Sequence, residues 1–221
     1  MMTKIGVFGA HALDAELMGA PYCIQRHQQN NDDFVFVHMT RGERGNKNKQ
    51  PAEYGKQLEK EIPEVAKAMG GHAIWTGYIA GQLPELSTIV KDFKQIIIDE
   101  HITTVITHWR GSLHQRHILC HDAVTAAVDQ LNHDGKNIKL YYGENCEDLN
   151  GFIPEIYIQF SQKVFDTWID GLNHYELFRG GVLSVPYYDY YSTMAKIRGI
   201  EKGLLPYARA FMVAPHITTE L

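Results

Sequence analysis

The sequence predicts an α/β fold, a Rossmann-like and mostly parallel sheet flanked by helices, with a C-terminal cap. Three observations carry this expectation. Short, nearly continuous apolar runs, the mark of strands buried on both faces, alternate with longer stretches of helical period. The alternation reads βαβαβαβαβ from residue 4 to residue 142. With 221 residues, 44% of them hydrophobic and 21% charged, the chain can bury a sizeable core within one domain.

The first strand is expected at 4–9, where Ile5-Gly6-Val7-Phe8-Gly9 leads into a polar loop, and a helix at about 15–29. Residues 34–39 form the second strand, mostly apolar, and the loop Thr40-Arg41-Gly42-Glu43-Arg44-Gly45-Asn46 follows with two glycines for tight backbone geometry. An amphipathic helix spans 51–69 and stops at Gly70-Gly71, with Pro63 placed to kink it. A third strand at 73–78, a helix at 86–101, a fourth strand at 104–108, a helix at 118–132 and a fifth strand at 139–142 complete the pattern. The rest is rich in Tyr and Pro and holds helices near 162–178 and 190–204. The expected organisation is a single domain over 1–221, with 146–221 as its cap.

The formal net charge of −5 and the lack of a long basic run argue against a nucleic-acid binder. Lys47 and Lys49, near Arg41 and Arg44, read as a solvated loop. Cys23, Cys120 and Cys146 form no CxxC pair and no even framework, so they are expected to be reduced thiols in a cytoplasmic protein. No apolar run approaches the ~20 residues that cross a bilayer, and no secretory leader is read at the N-terminus. Neither a G-x-G-x-x-G nor a P-loop is present. The run Pro186-Tyr187-Tyr188-Asp189-Tyr190-Tyr191 suits core or homo-oligomer packing, or stacking on a sugar ring.

Histidines mark the chemistry. His11 and Asp14 follow the first strand, and His108, His114, His117 and His121 surround the end of the fourth. In a parallel doubly wound sheet these loops emerge at one edge, the ligand-binding edge of such folds. His11, Asp14 and His117 can meet there as a three-ligand site with an open position for water. Two imidazoles and a carboxylate suit zinc, and also iron(II). The plainer alternative makes His11 a loop histidine and Asp14 a helix cap, and the other histidines admit several pairings.

Three motifs in order resemble those of the LmbE/PIG-L-type metal-dependent de-N-acetylases. The family's Ala-His-Pro-Asp-Asp-x-Glu stands here as Ala10-His11-Ala12-Leu13-Asp14-Ala15-Glu16, its Thr-x-Gly-Glu-x-Gly as Thr40-Arg41-Gly42-Glu43-Arg44-Gly45, and its His-Pro-Asp-His as His114-Gln115-Arg116-His117. The resemblance implies His11, Asp14 and His117 as metal ligands. It makes His114 the residue that assists the tetrahedral intermediate, and Arg44, or Arg41, the holder of substrate. The substrate implied is an N-acetylated amino sugar or small glycoconjugate. Trp109 either lines this pocket or anchors its loop. The departures are as informative. Leu13 replaces the family's general-base Asp, Arg116 replaces the Asp of the histidine motif, and Ala80 stands where relatives carry an Asp after the third strand. Glu43 or Glu16 could act as the base in its place. The alternative is an impaired member that binds a metal or ligand without turnover.

Overall fold

The computed structural model describes residues 3–204 and 206–215. Along the early strands the side chains alternate between two apolar clusters, because successive Cβ atoms leave a strand on opposite faces. Ile5 and Val7 of β1 (Lys4–Gly9), with Phe34 and Phe36 of β2 (Asp33–Thr40), join one cluster. Phe8, Val35, Val37 and Met39 join the other. Both faces of the sheet are therefore covered. On the first lie α1 (Asp14–Asn30), α2 (Pro51–Met69), α5 (Gln162–Leu172) and α6 (Tyr187–Lys202). On the second lie α3 (Leu86–Asp99) and α4 (Gln115–His133).

The sheet has seven strands in the order β3-β2-β1-β4-β5-β7-β6. Strands β1, β2, β3 (His72–Tyr78), β4 (Thr104–His108) and β5 (Lys139–Gly143) run parallel, in registers that pair Gly6 with both Val35 and Val105. The chain leaves β1 toward β2 on one side and reaches β5 from β4 on the other. The order thus reverses between β1 and β4, and the loops after those two strands part to leave a crevice.

Most elements fall where the sequence puts them. Pro63 does not interrupt α2, nor does Pro21 interrupt α1; both helices run through. Helix α4 begins three residues earlier than expected, because His114 caps it: its Nδ1 accepts from Arg116 N at 3.3 Å. Helix α3 ends at Asp99 and the chain turns at His101 with φ of 54°.

The main difference lies past residue 146. Beyond the two expected helices, this segment adds β6 (Ile156–Phe160) and β7 (Tyr207–Val213) to the sheet. β7 pairs antiparallel with both β5 and β6. Helix α5 ends at Leu172, short of the expected 178. The cap is thus partly an extension of the sheet. Arg209 of β7 is fully buried beneath α1, where its Nη2 donates to the carbonyls of Leu17 (2.9 Å) and Glu144 (2.6 Å).

Candidate functional site

The turn from β1 into α1 is very tight. A Cβ on Gly9 would lie 2.7 Å from the backbone nitrogen of Ala15, so only glycine fits there. Leu13 precedes α1 with φ of 84°, a conformation that L side chains rarely adopt, and gives the helix no side-chain cap. This turn sets the carboxylate of Asp14 back over His11. Asp14 Oδ2 accepts from His11 N at 2.9 Å and lies 3.1 Å from His11 Nδ1. It is also 3.4 Å from His117 Nε2 and 3.7 Å from His108 Nε2.

Two sets of donor atoms gather closely, each within 4.8 Å: His11 with His114 and His117, and Asp14 with His108 and His117. The three ligands expected from the sequence are divided between these sets, with His117 in both. Hydrogen bonding selects among the donors. His108 Nε2 accepts from Ala10 N at 3.0 Å, so its lone pair there is taken. Its Nδ1 donates to Asp148 Oδ2 at 2.7 Å. His114 Nδ1 accepts from the α4 backbone, so in the neutral ring the proton sits on Nε2. His117 Nδ1 donates to Asp148 Oδ1 at 2.8 Å, which leaves Nε2 free to bind a metal beside Asp14. The separations of 3.1 and 3.4 Å between Asp14 Oδ2 and the two imidazoles match those of neighbouring donors in a tetrahedral shell with bonds of about 2.0–2.2 Å. His11, Asp14 and His117 suit a divalent ion in donor type and in the two separations from Asp14, while the sets that close within 4.8 Å join His11 to His114 and Asp14 to His108.

A deeper layer holds these ligands in place. His38 Nδ1 donates to the carbonyl of His11 at 3.1 Å, while its Nε2 faces Glu16 Oε1 at 3.2 Å. Glu16 also accepts from Tyr175 Oη at 2.9 Å, and all three side chains are buried. Burial pushes the His38 pKa down, but the Glu16 carboxylate outweighs it and raises the value overall. On the other side Asn145 Nδ2 donates to Asp14 Oδ1 at 3.3 Å.

Electrostatics separate the two histidines of the third motif. Burial opposes charge on His117, but Asp14 and Asp148 overcome it and raise its pKa to about 10. His114 is pushed down to about 4, first by burial and then by His117 and His11 beside it. It is therefore a neutral hydrogen-bond donor at pH 7, not an acid. Burial would raise the pKa of Asp148, yet its bonds to His108 and His117 lower it to about 2.

His11, Asp14, His114, His117 and Asn145 line a cavity of about 230 Å³ together with Leu13, Arg41, Arg44, Arg116, Ala80, Glu147 and Tyr187. Glu43 and Trp109 are not among its walls. Glu43 is buried and turned to the β3 side, where Oε1 accepts from Ala80 N at 2.6 Å. Trp109 anchors its loop: Nε1 donates to the Asn150 carbonyl at 2.9 Å, and the ring packs on His121 and Tyr142. Glu16 is committed to His38 and Tyr175. Arg41 pairs with Glu59 and stacks over Trp75 at 4.0 Å. Three important residues escape the sequence reading: Asn145, Glu147 and Asp148, in the loop after β5. They fall in no spacing pattern with the histidines, and the only available signal is their place at the end of a parallel strand. Glu147 Oε2 lies 3.7 Å from His117 Nε2 on a side chain that is 55% exposed.

Residues 7–128 match the family model described as PIG-L, GlcNAc-PI de-N-acetylase. No curated protein matches the chain. Among solved structures, the chain is similar to the 4-carboxy-2-hydroxymuconate hydratase GalB from Pseudomonas putida KT2440, at 16% identity and TM-score 0.80 with 100% of each chain covered. The A40926 pseudoaglycone deacetylase Dbv21 aligns at 15% identity and TM-score 0.77, again over 100% of each chain. The N,N'-diacetylchitobiose deacetylase from Pyrococcus horikoshii aligns at 14% identity and TM-score 0.71, covering 98% of this chain and 87% of its own. At such identities these likenesses establish the fold alone.

Proposed function

Because the chain belongs to the PIG-L family of GlcNAc-PI de-N-acetylases, we propose that it is a metal-dependent de-N-acetylase acting on an N-acetylated amino sugar or a similar small glycoconjugate. The observation that carries this reading is the tautomer pattern: Asp148 frees His117 Nε2 beside Asp14, while the helix backbone leaves His114 with a donor on Nε2. Zinc, or iron(II), held by His11, Asp14 and His117 supplies an activated water and a Lewis acid for the amide carbonyl.

The chain's own groups do the rest. His114 Nε2–H donates to the oxygen of the acyl carbonyl as negative charge develops there, and its low pKa keeps it a neutral donor throughout. Glu147 takes the proton of the attacking water at its carboxylate, the task Leu13 cannot perform, and returns it to the leaving amine nitrogen as the C–N bond breaks. Glu147 suits this role because it is the carboxylate in the cavity wall not committed to Asp14's hydrogen-bond group. Its backbone is anchored on both sides: Glu147 N donates to Asn145 Oδ1 at 3.1 Å, and Asp148 is bonded to two histidines. Arg44, with Arg41 behind it, holds the sugar.

Metal analysis of the purified protein, His11→Ala and His117→Ala variants, and acetate release from a panel of N-acetylated sugars test this reading. Loss of bound metal in both variants is expected. Glu147→Gln should lower kcat by about 10²–10⁴-fold while metal content stays whole. A fully loaded protein that releases no acetate from any member of the panel would defeat the proposal. One observation favours a second reading, a ligand-binding protein without turnover: the base position of the family is the buried, apolar Leu13. If Leu13→Asp turns over where the parent does not, that second reading holds.

A further inference from the structure

The polar and the aliphatic linings of the cavity come from different parts of the chain. Its charged groups and imidazoles sit in the loops and first helical turns that follow β1, β2, β4 and β5. Six aliphatic side chains have another origin: Leu13 and Leu17 at the start of α1, Leu58 of α2, and Leu177, Val182 and Leu183 between α5 and α6. They form a continuous surface. Leu13, Leu17, Leu58 and Val182 belong to one buried cluster, and Leu177 and Leu183 pack against it. The first four are at most 9% exposed, so close packing holds them in place. This wall reaches the proposed metal centre, because Leu13 immediately precedes Asp14 and lines the same cavity. Leu177, Val182 and Leu183 lie beyond residues 7–128, the part that matches the family model. Leu13 replaces the aspartate of the family motif. The family pattern therefore does not account for this surface.

We propose that the acyl group removed is an aliphatic chain of medium length, longer than acetyl, and that it lies along this wall. This rests on the proposed reading of the cavity as an amide-hydrolysing site. The reaction keeps its balance: water adds across the C–N bond, the acyl carbon gains the hydroxyl, the amine nitrogen takes the proton, and a fatty carboxylate and an amino sugar leave. The direction of the chain follows from the trigonal carbonyl carbon. Its oxygen faces His114 and the metal, and its two other bonds diverge. The bond to nitrogen leads to the sugar on the arginine side, so the bond to the alkyl group leads to the side lined by Leu13. A methyl group covers only a small part of six aliphatic side chains. A longer chain takes much more of that surface out of water, and the gain grows with the apolar area covered.

Glucosamine carrying an N-acetyl, N-butanoyl, N-hexanoyl or N-octanoyl group tests this with the zinc-loaded protein, read as free amine. kcat/KM should rise about two- to fourfold per methylene until the wall is covered, which sets hexanoyl at least about tenfold above acetyl. The carboxylate products supply a readout without turnover. In calorimetry hexanoate should bind at least about tenfold tighter than acetate. Leu183→Asp places a charge on the half-buried part of the wall and should shrink both ratios several-fold. Leu183→Trp fills the same space and should move the preference toward shorter chains. Leu113→Ser, at a side chain 92% exposed and outside the cavity, should change neither ratio. Should the Leu183 variants fail to fold, the wild-type chain-length series decides alone. Acetyl cleaved as fast as hexanoyl, with acetate and hexanoate bound alike, overturns the inference and leaves the deacetylase reading standing. A hexanoate advantage that vanishes in Leu183→Asp, with no amide cleaved, refutes the hydrolase reading and supports the aliphatic wall. An advantage that survives unchanged in both Leu183 variants puts the chain elsewhere and overturns the inference.

Discussion

Two imidazoles share the carboxylate of Asp148, and the useful tautomer of each follows from that sharing. Asp148→Asn keeps the size but exchanges one of two acceptors for a donor, so His108 and His117 can no longer both donate to it and the tautomer that keeps His117 Nε2 free is weakened. Metal affinity should fall about 10–100-fold, read by competition with a chelator. In the metal-free protein His117 titrates at about 10, against about 6.5 when unfolded. Its contribution to stability is therefore complete below pH 6.5 and is lost as pH rises through 10. The same proton must leave before a cation binds, so apparent metal affinity should rise about tenfold per pH unit between pH 7 and 9; a flat profile would contradict the assignment. Asp148, at about 2 when folded, acts in the opposite direction: its contribution is present above its ordinary value near 4 and fades as pH falls through 2. At this scale the sequence was only partly informative. His11, Asp14, His114 and His117 stand out because histidines cluster after two strands. Asp148 does not, since 31 residues separate it from His117 and nothing local ties the two together.

Elements set the position of these side chains through a few close approaches. Helix α1 rests on β1 at Gly19, where a Cβ would come 2.6 Å from Val7 Cγ2. Gly19→Ala should cost about 1–3 kcal/mol of stability in urea denaturation, the usual range for overpacking. Gly9→Ala meets backbone at 2.7 Å instead of a side chain that can yield. The first turn of α1 must then move and carry Asp14 with it, so the expected signature is a loss of metal affinity at least as marked as the loss of stability. Period and turn chemistry made β1 through β5 and their helices readable, because buried parallel strands are nearly continuous apolar runs. β6 and β7 were missed for the converse reason. They run antiparallel among tyrosines and prolines, and Arg209 in the middle of β7 looks like a surface residue until Glu144 and Leu17 are seen around it.

Across the whole molecule, strand order does the work of assembly. Placing β4 beside β1 brings residues a hundred positions apart to one rim, and that much follows from the βαβ alternation and its right-handed crossovers. The identity of the far edge does not, since antiparallel additions leave no such regular trace. Arg209 ties α1, β5 and β7 together, with its guanidinium also over Trp168 and Tyr191 at 5.8 and 5.5 Å. Arg209→Ala leaves Glu144 buried with one partner fewer, and a loss of about 3–5 kcal/mol is expected in equilibrium unfolding. Because β7 lies between β5 and β6, a ribosome must deliver residues 207–213 before β6, made some fifty residues earlier, has any neighbour to bond with. A nascent chain that pauses short of that point exposes the margin of β5 to other polypeptides, so chaperone capture during translation should concentrate there.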